Sequence, residues 1–257
     1  MFNIYLIEAL KDRISSTEFN TINDSGSLED KSYKLDKHLM TNRKDANLKK
    51  SGVGTSRIYY KVKSPENITL DGEHTTIHTG IKVPYLGSLD DGYRAIVGLE
   101  QNKGELSKEY EPYHIIKKDS LGNYHTNHDT GILAPTIDKG EHWNEMIHTE
   151  KLSDTNRLEH YTKTKTHPEG LKHSDMNNML DAIYTWKQTK FSPEDQHTLE
   201  HPLMKKVLNL IDNTKISHHD ISTNNMGIWE HPITKEKHPV IIDYGIHKGM
   251  FTYETNQ

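Results

Sequence analysis

Apolar and polar positions along the chain change their period several times, and each change marks an element. Residues 2–14 (FNIYLIEALKDRI) set Phe2, Ile4, Tyr5, Leu6, Ala9 and Leu10 near helical spacing and predict a short amphipathic helix. Residues 15–50 turn polar, rich in Ser, Thr, Asn, Asp and Lys, and read as a linker carrying the basic run Arg43-Lys44 to Lys49-Lys50. From Gly52 the texture is β-branched and aromatic. Arg57–Lys63 and Thr75–Val83 predict strands of an antiparallel meander, broken at Ser64-Pro65 and at Asp71-Gly72. Residues 100–116 read as helix as far as Glu111, where Pro112 ends it. Tyr113–Lys117, Gly131–Ile137 and Glu145–Thr149 resume strand-like text.

The second half has mainly helical spacing. Residues 175–188 (DMNNMLDAIYTWKQ) gather Met176, Met179, Leu180, Ile183, Tyr184 and Trp186 mostly on one side, with Asp175 as the predicted N-cap. Pro193 and Pro202 each open a further helix, the second with an apolar face of Leu203, Val207, Leu208, Leu210 and Ile211. A hairpin closes the pattern: Met226–Trp229, a polar turn over Glu230–Lys237, then Pro239–Ile242. Strands followed by helices predict an α+β chain in two lobes, with 1–50 as helix and linker, 51–150 as the first lobe and 151–257 as the second.

Composition narrows the function classes. Of 257 residues only 32% are hydrophobic and 27% are charged, so the core is lean. No apolar run reaches the ~18 residues of a membrane span, and no membrane role is expected. Zero Cys excludes disulfides, zinc thiolates and thiol catalysis. The net charge of -5 gives no reason to expect a nucleic-acid partner. The 18 His are scattered, with no HExxH; His197 and His201, four apart, are spaced to share a helix face, and His125 and His128 lie near Asp129.

The segment that carries chemistry is Ser217–Gly245, SHHDISTNNMGIWEHPITKEKHPVIIDYG. A hairpin brings its ends together, so Asn225 at its entry and Asp243 at its exit converge. An amide oxygen and a carboxylate are hard ligands that suit Mg²⁺ held together with phosphates. Asp220, on the loop before Asn225, places a second carboxylate near the same point, where it accepts or positions the proton of an attacking hydroxyl.

At these residues the chain resembles the protein-kinase-like phosphotransferases, whose catalytic loop reads H-R-D-x-x-x-x-N and whose metal loop reads D-F-G. Here the loop is His218-His219-Asp220 with Asn225 five residues on, and Asp243-Tyr244-Gly245 follows the hairpin. His219 replaces the Arg that often answers a phosphorylated activation loop, which implies that this control is missing. The resemblance implies a bilobal kinase-like fold, with an antiparallel-sheet first lobe and a reduced, mainly helical second lobe. It further implies an ATP site. Gly52 and Gly54, with Thr55 and Ser56, would form the phosphate-covering turn, although Arg57 stands at the third Gly of G-x-G-x-x-G. Lys82 in Gly80-Ile81-Lys82-Val83 matches the strand Lys, with Lys61 and Lys63 as rivals; Glu105 is its expected partner and Glu109 the rival. Backbone groups of His148–Lys151, with His148 and Glu150 at the centre, fall where adenine is recognised. His218 would support the loop.

Only twelve residues follow Gly245, so the activation segment and peptide-binding helices of a full protein kinase are not expected. Short kinase-like chains of this form are similar to those of tailed phages, which implies a cytoplasmic location, in the host for a phage-encoded chain. The expectation is thus an ATP- and Mg²⁺-dependent phosphotransferase acting on a protein or small-molecule acceptor. Its alternative is a pseudokinase that binds or scaffolds, with the N-terminal helix as a docking or self-association element.

Overall fold

A computed structural model of the chain describes residues 48–53, 57–84, 92–139, 143–152, 157–221 and 225–245, with Asp30, Lys34 and Lys37. The predicted helix at 2–14 and the tail after Gly245 lie outside these residues, as does nearly all of the predicted linker. The architecture is α+β, built as two compact units.

The first unit takes in residues up to Thr69, 73–106 and 135–148. It holds β1 (Leu48–Val53), β2 (Arg57–Val62), β3 (Glu66–Leu70, less its last residue), β4 (Glu73–Ile77) and β5 (Thr79–Pro84). A helix, α1 (Gly92–Glu105), follows. The predicted single strand at 75–83 is two, parted at His78, whose carbonyl accepts the His148 N–H at 2.7 Å. The predicted linker gives way to strand at Leu48, since β1 pairs antiparallel with β2 across a register shift at Lys50/Gly52. The helix expected from residue 100 to Glu111 begins at Gly92 and ends at Glu105.

The second unit takes in 70–72, 107–134 and everything from Thr149 onward. Residues 107–134 were expected in the first lobe. They belong here because Tyr110, Tyr113, Ile132 and Leu133 enter the same apolar core as the helices. Pro112 sits inside a 3₁₀ turn, Lys108–Tyr113, rather than ending an α-helix. The hairpin β6 (Ile116–Lys118) and β7 (Tyr124–Thr126) turns around Asp119, whose carboxylate accepts the N–H groups of Leu121 and Asn123. Most of the predicted strand at 131–137 is irregular, anchored by single bridges from Leu133 to His114 and to Ile241.

Two later strands, β8 (Thr136–Lys139) and β9 (Asn144–Ile147), return to the first unit and complete its sheet in the order β1-β2-β5-β9-β8, all antiparallel. β5 is the middle strand, and all six of its residues are buried.

The second unit continues with β10 (Glu150–Lys151), α2 (Leu158–Thr162) and α3 (His173–Leu180). Lys172, not Asp175, is the N-cap of α3; Asp175 lies in its first turn, where a negative charge still favours the helix dipole. A π-helical turn, Asp181–Thr185, extends α3, and the change of period turns Trp186 outward to 68% exposure rather than onto the apolar face. α4 (Pro193–Glu200) starts at a capping box between Ser192 and Asp195. α5 (Pro202–Asn213) buries Leu203, Met204, Val207, Leu210 and Ile211 at spacings of one to four residues. Each of these side chains contributes about 1.5–3 kcal/mol by leaving water. The hairpin β11 (Met226–Glu230) and β12 (Lys237–Ile241) forms where it was predicted, and β10 adds to its β11 edge.

Candidate active site

Two groups of polar side chains stand out, one in each unit. In the first, β5 presents Lys82 directly opposite Tyr59 of β2 and Asn144 of β9, so these side chains share a sheet face. Glu105, the last residue of α1, meets that face. Lys82 Nζ donates to Glu105 Oε1 at 2.8 Å, and Arg57 Nη2 donates to the same oxygen at 2.7 Å. Asn144 Nδ2 donates to Glu105 Oε2 at 3.2 Å, and Arg57 Nη1 donates to Asn102 Oδ1 at 3.0 Å. All five side chains are buried. Burial works against the Glu105 carboxylate, but the charges of Arg57 and Lys82 and their hydrogen bonds overcome it and hold the group well below the usual carboxylate range. Burial and the neighbouring Arg57 charge push the Lys82 ammonium down, while Glu105 pulls the other way.

Sequence reasoning paired Lys82 with Glu105 and missed Arg57, Asn102 and Asn144. A signal for Arg57 existed: it lies two residues before Tyr59, so it shares the face of Lys82. Of the rivals, Lys63 is exposed, Lys61 is half-buried, and Glu109 lies in the 3₁₀ turn of the other unit. Gly52 lies in β1 opposite Tyr59; Gly54, Thr55 and Ser56 are outside the described residues.

His148 differs from its expected role. Its backbone N–H is engaged by the His78 carbonyl, so that donor does not serve a base. Its ring stacks on Tyr59, and the Tyr59 hydroxyl and His148 Nδ1 are hydrogen-bonded at 2.8 Å. Burial, with the charges of Lys61 and His78, lowers the His148 pKa to about 4 and keeps the ring neutral. The Tyr59 ring lies over Gly80, where any β-carbon would stand 2.0 Å from the phenol oxygen. Glu150, in the second unit, is exposed and pairs through its backbone with Ile228. Gly227 permits that approach, since a β-carbon there would meet Thr149 Oγ1 at 2.4 Å.

The second group is the 218–245 segment. Ser217 accepts the His219 N–H and opens a 3₁₀ turn, His218–Asp220. Asn225 Nδ2 donates to the Asp220 carbonyl at 2.8 Å, drawing the two ends of the loop together. The Asn225 carbonyl accepts the Ile242 N–H at 2.8 Å, which carries the hairpin pairing one step past Met226↔Ile241 and sets Asp243 just beyond it. Asp220, Asn225 and Asp243 are half-buried, and Ser222–Asn224 lie outside the described residues. Tyr244 is fully buried; its hydroxyl donates to the Ala134 carbonyl at 2.8 Å and its ring meets Tyr110 edge-on. The buried Tyr244 hydroxyl therefore has a partner. His218 Nε2 lies 3.1 Å from Thr185 Oγ1, and its ring stacks on Tyr184, which braces the loop against the π-turn.

His197 and His201 do not share a helix face: the first lies in α4, and the second caps α5, buried, with Nδ1 accepting the Leu203 N–H.

No protein-family profile matches the chain. Among curated proteins it is similar to one named "Secreted RxLR effector protein" from Phytophthora infestans (strain T30-4), at 27% identity over 117 residues. That match covers 45% of this chain and 48% of that protein, so the chain spans about half the length of the relative. Among the described residues no helix is long and apolar enough to cross a membrane.

Proposed function

We propose that the chain is an ATP- and Mg²⁺-dependent phosphotransferase of bilobal, kinase-like design. The observation that carries this reading is the buried Lys82–Glu105 ion pair at 2.8 Å, linking the middle strand of the sheet to the last turn of α1. A buried ion pair contributes little net stability, so retention of one at this position points to function. Lys82, oriented by Glu105, contacts the α- and β-phosphates. Asp220 accepts or positions the proton of the attacking hydroxyl. The oxygen donors of Asn225 and Asp243 fit the hard-ligand preference of Mg²⁺, whose charge, when the ion is bound, offsets that developing on the phosphates. The acceptor is a protein hydroxyl or a small alcohol.

A second reading, a binding protein without turnover, is favoured by the engaged His148 N–H and by Arg57 at the third Gly position. The relative's name, a secreted effector, is consistent with it.

A thermal shift with millimolar ATP, with and without Mg²⁺, tests the nucleotide site, and phosphate release from ATP separates turnover from binding alone. Binding to the native state stabilises it by about 2.7 kcal/mol at a ligand concentration a hundredfold above Kd. A Mg²⁺-dependent rise that disappears in Asp243→Asn is expected. No rise in the wild-type protein would leave the binding-protein reading in its place.

A further inference from the structure

We propose that Asp181, His218 and His219 form a binding site for one divalent transition-metal ion of the zinc type. Among the described residues these three side chains bring one ligand atom each to within 4.8 Å of the others. Asp181 Oδ1 lies 3.6 Å from His218 Nε2, and the His218 and His219 rings are 3.8 Å apart between centroids. Zinc binds nitrogen and oxygen at about 2.0–2.2 Å in a tetrahedron, which sets neighbouring ligand atoms about 3.3–3.5 Å apart. The Asp181–His218 separation is already close to that span, and the third ligand, His219, is an exposed side chain. Thr185 Oγ1, 3.1 Å from His218 Nε2, adds a hydroxyl beside the set. Two imidazoles and one carboxylate select a borderline metal rather than Mg²⁺, so this site differs in chemistry from the all-oxygen pair Asn225 and Asp243.

A second histidine cluster shows what such a group looks like when it is only structural. His167, His197 and His201 also stack closely, with centroids 4.3 and 4.8 Å apart. There, however, His167 Nε2 meets the His197 carbonyl at 3.2 Å and His201 Nε2 meets the Thr162 carbonyl at 2.9 Å. Those ring nitrogens are committed to backbone oxygens. Around His218 the neighbours are a carboxylate and a second imidazole, both zinc ligands in their own right, with the Thr185 hydroxyl beside them. The elements bearing the site are local: Asp181 begins the π-turn, whose Asp181 carbonyl accepts the Trp186 N–H, and π-turns recur at functional positions. A bound ion would tie that turn to the loop bearing Asp220. The site stands whether or not the chain transfers phosphate.

The test is zinc titration of EDTA-stripped, full-length protein against a chromophoric chelator, followed by Co²⁺ substitution. One Zn²⁺ per chain is expected. His219→Ala and Asp181→Asn each weaken it by at least about tenfold, as loss of a ligand should. They also remove the tetrahedral Co²⁺ absorption, with unchanged circular dichroism, while His167→Ala leaves both intact. Affinity weaker than about 100 µM, near −5.5 kcal/mol, would overturn the proposal. So would binding that survives both substitutions or that is lost in His167→Ala instead.

Discussion

The polar cluster of the first unit and the 218–245 segment of the second solve the same problem, holding charged groups in place, by different means. Around Glu105 the positions are over-determined by packing: two cations and an amide converge on one carboxylate that is 1% exposed. Around Asp220 they are held by the backbone. A 3₁₀ turn, the Asn225 amide and the first hairpin hydrogen bond place side chains that remain half in water. The difference teaches that the two groups depend on the fold to different degrees. Disturbing the first should cost stability, together with the phosphate contact proposed for Lys82, whereas disturbing the second should leave the fold largely intact.

The largest effect on that contrast is expected from Glu105→Ala. Removing one partner leaves Arg57 and Lys82 buried around an empty place, and breaking a buried pair costs about 3–5 kcal/mol. A fall of this size in the urea midpoint is expected; a loss below about 1 kcal/mol would place the cluster with weak surface pairs.

Acid should expose the same asymmetry more gently. His148 has a folded pKa lowered to about 4, mainly by burial, against about 6.5 in the unfolded chain. The unfolded chain therefore binds the proton first. The stability contributed by neutral His148 is present above pH ~6.5 and is lost as pH falls toward 4. In His148→Asn, which keeps a hydrogen-bonding group beside the Tyr59 hydroxyl but cannot titrate, the urea midpoint should decline less over this window. An unchanged slope would remove His148 from the account.

The smallest effect is expected from Asp220→Asn. Asn225 holds the Asp220 backbone carbonyl, not its side chain, so the loop survives and stability stays within about 0.5 kcal/mol. That corresponds to a melting shift of about 1–2 °C in a chain of this size. A shift several times larger would make Asp220 a structural residue and blur the distinction between the two regions.

Much of this was legible along the chain. The hairpin at 226–241 follows from two apolar runs around a polar turn, and the starts of α4 and α5 follow from Ser192-Pro193 and Pro202. Lys82 and Glu105 were found by motif spacing, and they touch. What was not legible came from period changes and long-range pairing. The π-turn after Leu180 rotates Trp186 into water, and only a break in the 3.6-residue period reveals it. The split at His78 depends on a hydrogen bond from His148, seventy residues later.

By itself the sequence determined the local elements and the order of the chemical groups, because caps, turns and hydrophobic period act over a few residues. It also determined that Asn225 and Asp243 would stand at the two ends of one hairpin, where the Asn225 carbonyl accepts the Ile242 N–H. Tertiary structure decided the rest. It placed 107–134 in the second core, set Arg57 beside Lys82 on one carboxylate, and turned the His148 N–H toward His78. The physical reason is range: sheet register and desolvation act between residues that are tens of positions apart, and their energies exist only once the chain has closed around them.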